Sequence, residues 1–163
     1  MIFIHVQKEK IHLESEINKL YFNHHNVGAV VTFLGIVREF IDESSHVNSL
    51  KGIELEYYPG MTEKFLREIA LEVQNRWNIA HISMIHRVGF LFINEPVVWV
   101  GVSSAHRHAS FEACHFLIDQ LKVNAPFWKK EVMLSGESQW VQAKEHDFLS
   151  TKKWNISCNI SCV

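Results

Sequence analysis

No apolar run in this chain approaches the roughly 20 residues that span a bilayer, so no membrane-crossing helix is expected. The opening Met1-Ile2-Phe3-Ile4-His5-Val6 is too short for a signal peptide and reads as a strand, which makes the cytoplasm the expected compartment. Cysteine is scarce. Of three, Cys114 falls in a helical stretch and reads as a small core residue, while Cys158 and Cys162 find no second ligand pair to make a metal site. Neither HExxH nor a CxxC pair of pairs occurs, so the eleven histidines read as surface and satisfied core residues, and no metal is expected. A net charge of −2 argues against a broad nucleic-acid footprint, so any anion site must be local. Even the 106–131 stretch balances Arg107, Lys122, Lys129 and Lys130 against Glu112, Asp119 and Glu131. No repeat, low-complexity tract or linker divides the chain. One domain over residues 1–150 is expected, followed by a loosely ordered tail over 151–163.

What is present is a chain of 163 residues, 47% hydrophobic and long enough to bury a core. Residues 1–6 alternate as an edge strand does, and Ile17, Leu20 and Tyr21 lie at helical spacing within 14–23. Val27 to Val37 is rich in β-branched residues and reads as a buried strand. Glu39 to Ser49 is polar, a loop, and Leu50 to Tyr58 alternates as a strand until Pro59-Gly60 stops it. From Met61 to Trp77 the residues Phe65, Leu66, Ile69, Ala70 and Val73 form one apolar helical face. Strands are expected at 80–88 and 96–104, joined by a loop through Asn94-Glu95-Pro96. A helix should run from Ala105 to Leu121, and short strands from Phe127 to Leu134 and Gln139 to Ala143. The order βαββαββαββ predicts an α+β domain with helices packed on a mostly antiparallel or mixed sheet.

Cationic and proton-carrying side chains bracket the 105–121 helix. Ser104-Ala105-His106-Arg107 falls where a strand gives way to that helix. Unsatisfied N–H groups there attract anions, Arg107 adds a fork suited to phosphate, and His106 can transfer a proton. The same residues also read as an N-cap serine followed by two exposed side chains. Lys122 ends the helix, where the helix dipole alone favours a lysine. Lys129 and Lys130 are adjacent on a strand and point to opposite faces, with Glu131 on the side of Lys129. Arg38 ends the strand that contains Phe33, Gly35, Ile36 and Val37, and such an arginine serves as a substrate clamp or as a solvated surface residue.

The helix sets a limit on how these groups converge. At 1.5 Å per residue, His106 and Lys122 lie about 24 Å apart. One small anionic ligand cannot touch both within a single copy. Either there are two sites, or a two-fold dimer builds two identical sites from both chains.

The stretches that carry these residues resemble the large, catalytic subunit of molybdopterin synthase. The likeness runs through Gly28-Ala29-Val30-Val31-Thr32-Phe33 with Gly35 and Val37-Arg38, then Leu55 to Lys64, then His86-Arg87-Val88-Gly89. It continues in Val100 to Arg107, Lys122, Ala125-Pro126-Phe127-Trp128-Lys129 and Glu131, and weakly in Trp140-Val141-Gln142-Ala143. The resemblance implies an α/β-hammerhead-like domain with a small additional sheet. It implies an enzyme of molybdenum-cofactor biosynthesis that transfers sulfur to cyclic pyranopterin monophosphate, forming the dithiolene of molybdopterin. The sulfur would arrive as a thiocarboxylate on the C-terminal Gly-Gly of a small ubiquitin-like subunit. The assembly implied is a homodimer with a carrier at each end, a heterotetramer, using no metal or other cofactor.

By position, the resemblance gives Lys122 and Lys129 catalytic roles, Lys122 nearest the thiocarboxylate and Lys129 assisting proton transfer. Arg38, His106 and Arg107 bind substrate, with Ile36, Val37, Lys130 and Glu131 in the same binding segments and Phe33 lining the pocket. Two departures stand out. Ile36 occupies a position where the family commonly has lysine, which implies a reduced or backbone-only role there. The Leu91 to Pro96 loop replaces the usual Gly-Asp type of turn. Fixed cations suit a reaction that develops negative charge on an acyl centre and on a departing phosphate oxygen, and no cysteine is needed as sulfur carrier. The competing reading is a non-catalytic module that binds the ubiquitin-like partner or an anionic metabolite, retaining the cations without turnover.

Overall fold

The computed structural model describes residues 1–38, 50–141 and 151–155. The elements run β1 (Ile2–Gln7), α1 (Leu13–Tyr21), β2 (Ala29–Ile36), β3 (Leu50–Tyr57), α2 (Met61–Arg76), β4 (Ile79–Arg87), β5 (Gly89–Phe92), β6 (Pro96–Ser104), α3 (Arg107–Val123), β7 (Phe127–Met133) and β8 (Ser138–Val141). Two four-stranded sheets form, ordered β1-β4-β6-β2 and β5-β3-β7-β8. The first is mixed, because β1 runs parallel to β4 while β4–β6 and β6–β2 are antiparallel. The second is antiparallel throughout. This is the expected α+β class, with the extra small sheet.

Alternation along the central strands divides the first sheet into two faces. Ile82, Met84, Val100 and Val102 point to the side covered by α2 and α3, where Leu66, Ile69, Val73, Phe116 and Leu117 complete the main core. Their neighbours Ile85 and Trp99 point the other way and pack with Leu20 of α1. The second sheet has its own core of Val37, Leu50, Ile53, Leu55 and Leu91. Val37 and Val97 belong to the ends of β2 and β6, so this core begins where the first sheet stops.

One strand was not anticipated. β5 follows directly on β4, and Gly89 makes the corner with a φ of +80°, a conformation that costs glycine little. The buried Arg87 holds that corner by donating from its guanidinium to the carbonyls of Lys8 and Pro96. Four residues of which Leu91 alone is buried give too little periodicity to be seen in sequence.

Of the tail expected over 151–163, residues 151–155 are described: Trp154 packs edge-on against Trp77 and Phe116 and donates its Nε1–H to Asp119 at 2.8 Å. Lys153 pairs with the same carboxylate at 3.0 Å. The 39–49 loop, Gln142-Ala143, Cys158 and Cys162 lie outside the described residues. Among the described residues no helix is long and apolar enough to cross a membrane.

Candidate active site

β2 is paired to β6 from Ala29↔Ser104 to Ile36↔Pro96, and among the described residues no strand pairs with its other side. Between it and α3 lies a cavity of about 960 Å³, the size of a small-molecule site. Phe33, Ile36 and Arg38 line it from β2 and its end, and Lys122 lines it from the last turn of α3. Arg38 and Lys122 are both exposed. The cavity also holds carboxylates, Glu112 and Asp119, of which Asp119 is engaged by Lys153 and Trp154.

The strand end that presents Arg38 is irregular. A register shift falls between Gly35 and Ile36, turning Ile36 outward to 50% exposure while Val37 is buried at 3%. Both backbone groups of Val37 are used, its N–H on the Glu95 carbonyl and its own carbonyl by the Asn94 N–H. Val37 thus anchors the segment in the second core, and its neighbours on either side face the cavity.

His106 and Arg107 line a second cavity of about 570 Å³, with Gly28, Ala105 and Phe111. A methyl group on Gly28 would lie 2.4 Å from the Ala105 carbonyl oxygen, so only glycine lets β2 start this close to the loop before α3. The helix begins at Arg107, two residues later than the sequence suggested. His106, not Ser104, is its N-cap, and no side chain caps it. Ser104 is buried and donates instead to the His106 carbonyl, with Ser110 Oγ at 2.7 Å. The two cavities share Phe111 and Glu112 along α3. Because α3 is a single 17-residue helix, the separation of about 24 Å between its two ends stands.

The third group sits on β7. Register pairs Lys129 with Leu55 and Glu131 with Ile53, so both point to the inner side of the second sheet, and their side chains form an ion pair at 3.1 Å. Lys130 points outward, 3.8 Å from Glu54 and over the Trp140 ring. The opposite orientation of the two lysines follows the strand alternation. None of these three lines either cavity directly.

Buried Cys114 and half-buried His86 border the larger cavity. Cys114 is buried, and burial pushes its thiol up to about 12, so it carries no thiolate at neutral pH. His86 stacks on Phe127 with ring centroids 3.8 Å apart and has its Nδ1 2.9 Å from the Arg87 carbonyl. Burial pushes its imidazole down to about 4 against the smaller raising effect of that hydrogen bond. In sequence His86 carried no chemical signal beyond its place in the His86 to Gly89 stretch. Among the described residues no cluster of three or more His, Cys, Asp or Glu is placed to hold a metal.

With this geometry in view, the comparisons with known proteins are specific. A family model described as MoaE protein matches residues 6–124. The chain belongs to the MoaE family. A curated MoaE-family relative from Pseudomonas aeruginosa, named molybdopterin synthase catalytic subunit, is 43% identical over 151 residues, covering 93% of this chain and 97% of the relative. One of the same name from Escherichia coli is 47% identical over 127 residues, 78% of this chain and 81% of that one. Among solved structures, the MoaE protein from Burkholderia ambifaria superposes with a TM-score of 0.79 at 36% identity, covering 96% of this chain and all of its own. A complex of subunits 1 and 2 of molybdopterin-converting factor from Helicobacter pylori shares the fold, with a TM-score of 0.66 at 19% identity, covering 88% of this chain and 90% of its own.

Proposed function

We propose that this chain is the catalytic subunit of a molybdopterin synthase, a cytoplasmic sulfurtransferase. It would move sulfur from the C-terminal thiocarboxylate of a small ubiquitin-like subunit to cyclic pyranopterin monophosphate, making the dithiolene. The observation that carries this reading is the cavity that Arg38 and Lys122 both line, beside a strand whose outer side pairs with no other strand among the described residues, in a chain of this family. The edge of β2 can take an extended tail by backbone pairing, which suits a Gly-Gly terminus entering a narrow channel. The curated relatives are named as catalytic subunits, and the Helicobacter neighbour is a complex of two subunits, which supports a small partner.

In this reading Lys122 sits nearest the thiocarboxylate and stabilises the oxyanion of the tetrahedral acyl centre, and Arg38 holds the phosphate. Lys129, held by Glu131, assists proton transfer, with Lys130 on the same strand adding positive charge. His106 and Arg107 bind substrate from the second copy of a homodimer, since the length of α3 keeps them from Lys122 within one chain. Carriers at both ends complete a heterotetramer.

Purified chain, thiocarboxylated carrier and cyclic pyranopterin monophosphate should yield dithiolene product. Binding without product would instead establish the non-catalytic module. Lys122→Ala and Lys129→Ala should each lower kcat by about 100-fold or more while carrier affinity stays near wild type. Titration calorimetry of the carrier beside product formation separates the two effects.

A further inference from the structure

A cavity built only to hold anions would need only cations, and this one has a neutral acceptor as well. Arg38 and Lys122 donate hydrogen bonds and accept none. His86 lines the same cavity from the end of β4. Its Nδ1 lies 2.9 Å from the Arg87 carbonyl oxygen, and a carbonyl only accepts, so Nδ1 carries the proton. Stacking on Phe127, with planes inclined by only 17°, fixes the ring orientation. In a neutral imidazole of that tautomer Nε2 is a bare lone pair, and no hydrogen bond to it is found among the described residues.

We infer that His86 contacts the substrate, presenting Nε2 as acceptor to a ring N–H donor of the pterin while the cations of the cavity hold its anionic part. The inference rests on the proposed reaction and adds to it a residue that reads the heterocycle rather than the phosphate. Its shifted ionisation fits this role. A ring that stays neutral at working pH keeps the lone pair available and adds no charge that would repel Arg38 or Lys122. The arrangement is also rigid. Phe127 opens β7, the strand that carries Lys129, so the reader of the ring and the catalytic segment share one packed contact. A site made to accept from a substrate N–H discriminates against rings that lack it, because the bound ring then leaves Nε2 without a partner.

The test compares His86→Phe, which keeps a stacked ring without the acceptor, with His86→Gln, which returns an acceptor oxygen at similar reach. Both are assayed with saturating thiocarboxylated carrier. H86F should raise KM for cyclic pyranopterin monophosphate roughly tenfold with kcat little changed, and H86Q should stay near wild type. An unchanged KM in H86F overturns the inference, as does an equal loss in both variants, which would mean that ring shape alone matters. If H86F fails to fold, ¹⁵N-histidine NMR of the wild-type chain decides. The pyridine-type Nε2 resonance should move upfield when substrate binds, and a fixed resonance under saturation overturns the inference. Absence of dithiolene from the wild-type mixture is a different outcome, which removes the proposed reaction and this inference together.

Discussion

Ile36 shows what one side chain changes at this site. It is half exposed, lines the cavity beside Arg38, and stands where the resemblance expects lysine. The outward turn at the register shift would bring a lysine ammonium to the same cavity wall. Ile36→Lys should therefore lower KM for the anionic substrate roughly fivefold, about 1 kcal/mol for one added charge-assisted contact, with kcat nearly unchanged. Steady-state kinetics at fixed ionic strength measure this, and an unchanged KM would show that position 36 acts through its backbone. At the same scale the sequence was informative about residue types and silent about their surroundings. Arg38 and Lys122 could be singled out as cations at element ends. Nothing in their neighbours along the chain told a clamp from a solvated side chain, because exposure and cavity shape arise from contacts across the fold.

At the scale of elements, α3 and β2 carry the site, and their spacing depends on glycine at one crossing. Gly28 passes so close to Ala105 that an added methyl must push the strand or the loop aside. Gly28→Ala should cost about 1–3 kcal/mol of stability by denaturant unfolding and weaken substrate binding through His106 and Arg107. If the variant matches wild type in both measurements, the close approach is not needed. Element type followed from periodicity where a stripe was long, as in α2, and from a short continuous apolar run in β6. It failed for β5, whose four residues pair with β3 from Gly52↔Phe92 to Leu55↔Gly89. A strand that short is decided by the partner it meets rather than by its own pattern. The start of α3 was misplaced for a related reason. Ser104 has the residue type of a cap, but Ser110 and the His106 carbonyl take its hydroxyl inside the core.

For the whole molecule, buried His81 and half-buried His86 link folding to pH. The ring of His86 is held neutral down to about 4, and burial, His24 and the N-terminal amine lower His81 as well. Below the ordinary histidine value near 6.5 the unfolded chain takes up protons that the folded chain refuses, so stability is complete above that pH and falls as pH drops toward 4. From His86 the loss should be roughly 2 kcal/mol by pH 5. Urea unfolding at pH 7.5 and pH 5 tests it, and H86F should show a smaller difference than wild type. Assembly is tested by complementation. Mixed dimers of Arg107→Ala and Lys122→Ala chains should recover activity that neither homodimer has, because one of their two sites then receives both intact residues. No recovery in verified mixed dimers would place each complete site within one chain.

By itself the sequence determined the elements with long, regular patterns, the α+β class, and the family through its blocks of shared residues. Each of these depends on what lies a few positions away or on the order of motifs along the chain. The three-dimensional packing decided the rest: that Arg38 and Lys122 share one cavity, that Val37 turns inward between outward neighbours, and that His86 joins them with its tautomer set. Those facts follow from which surfaces are excluded from water once distant segments meet, and no local spacing encodes that.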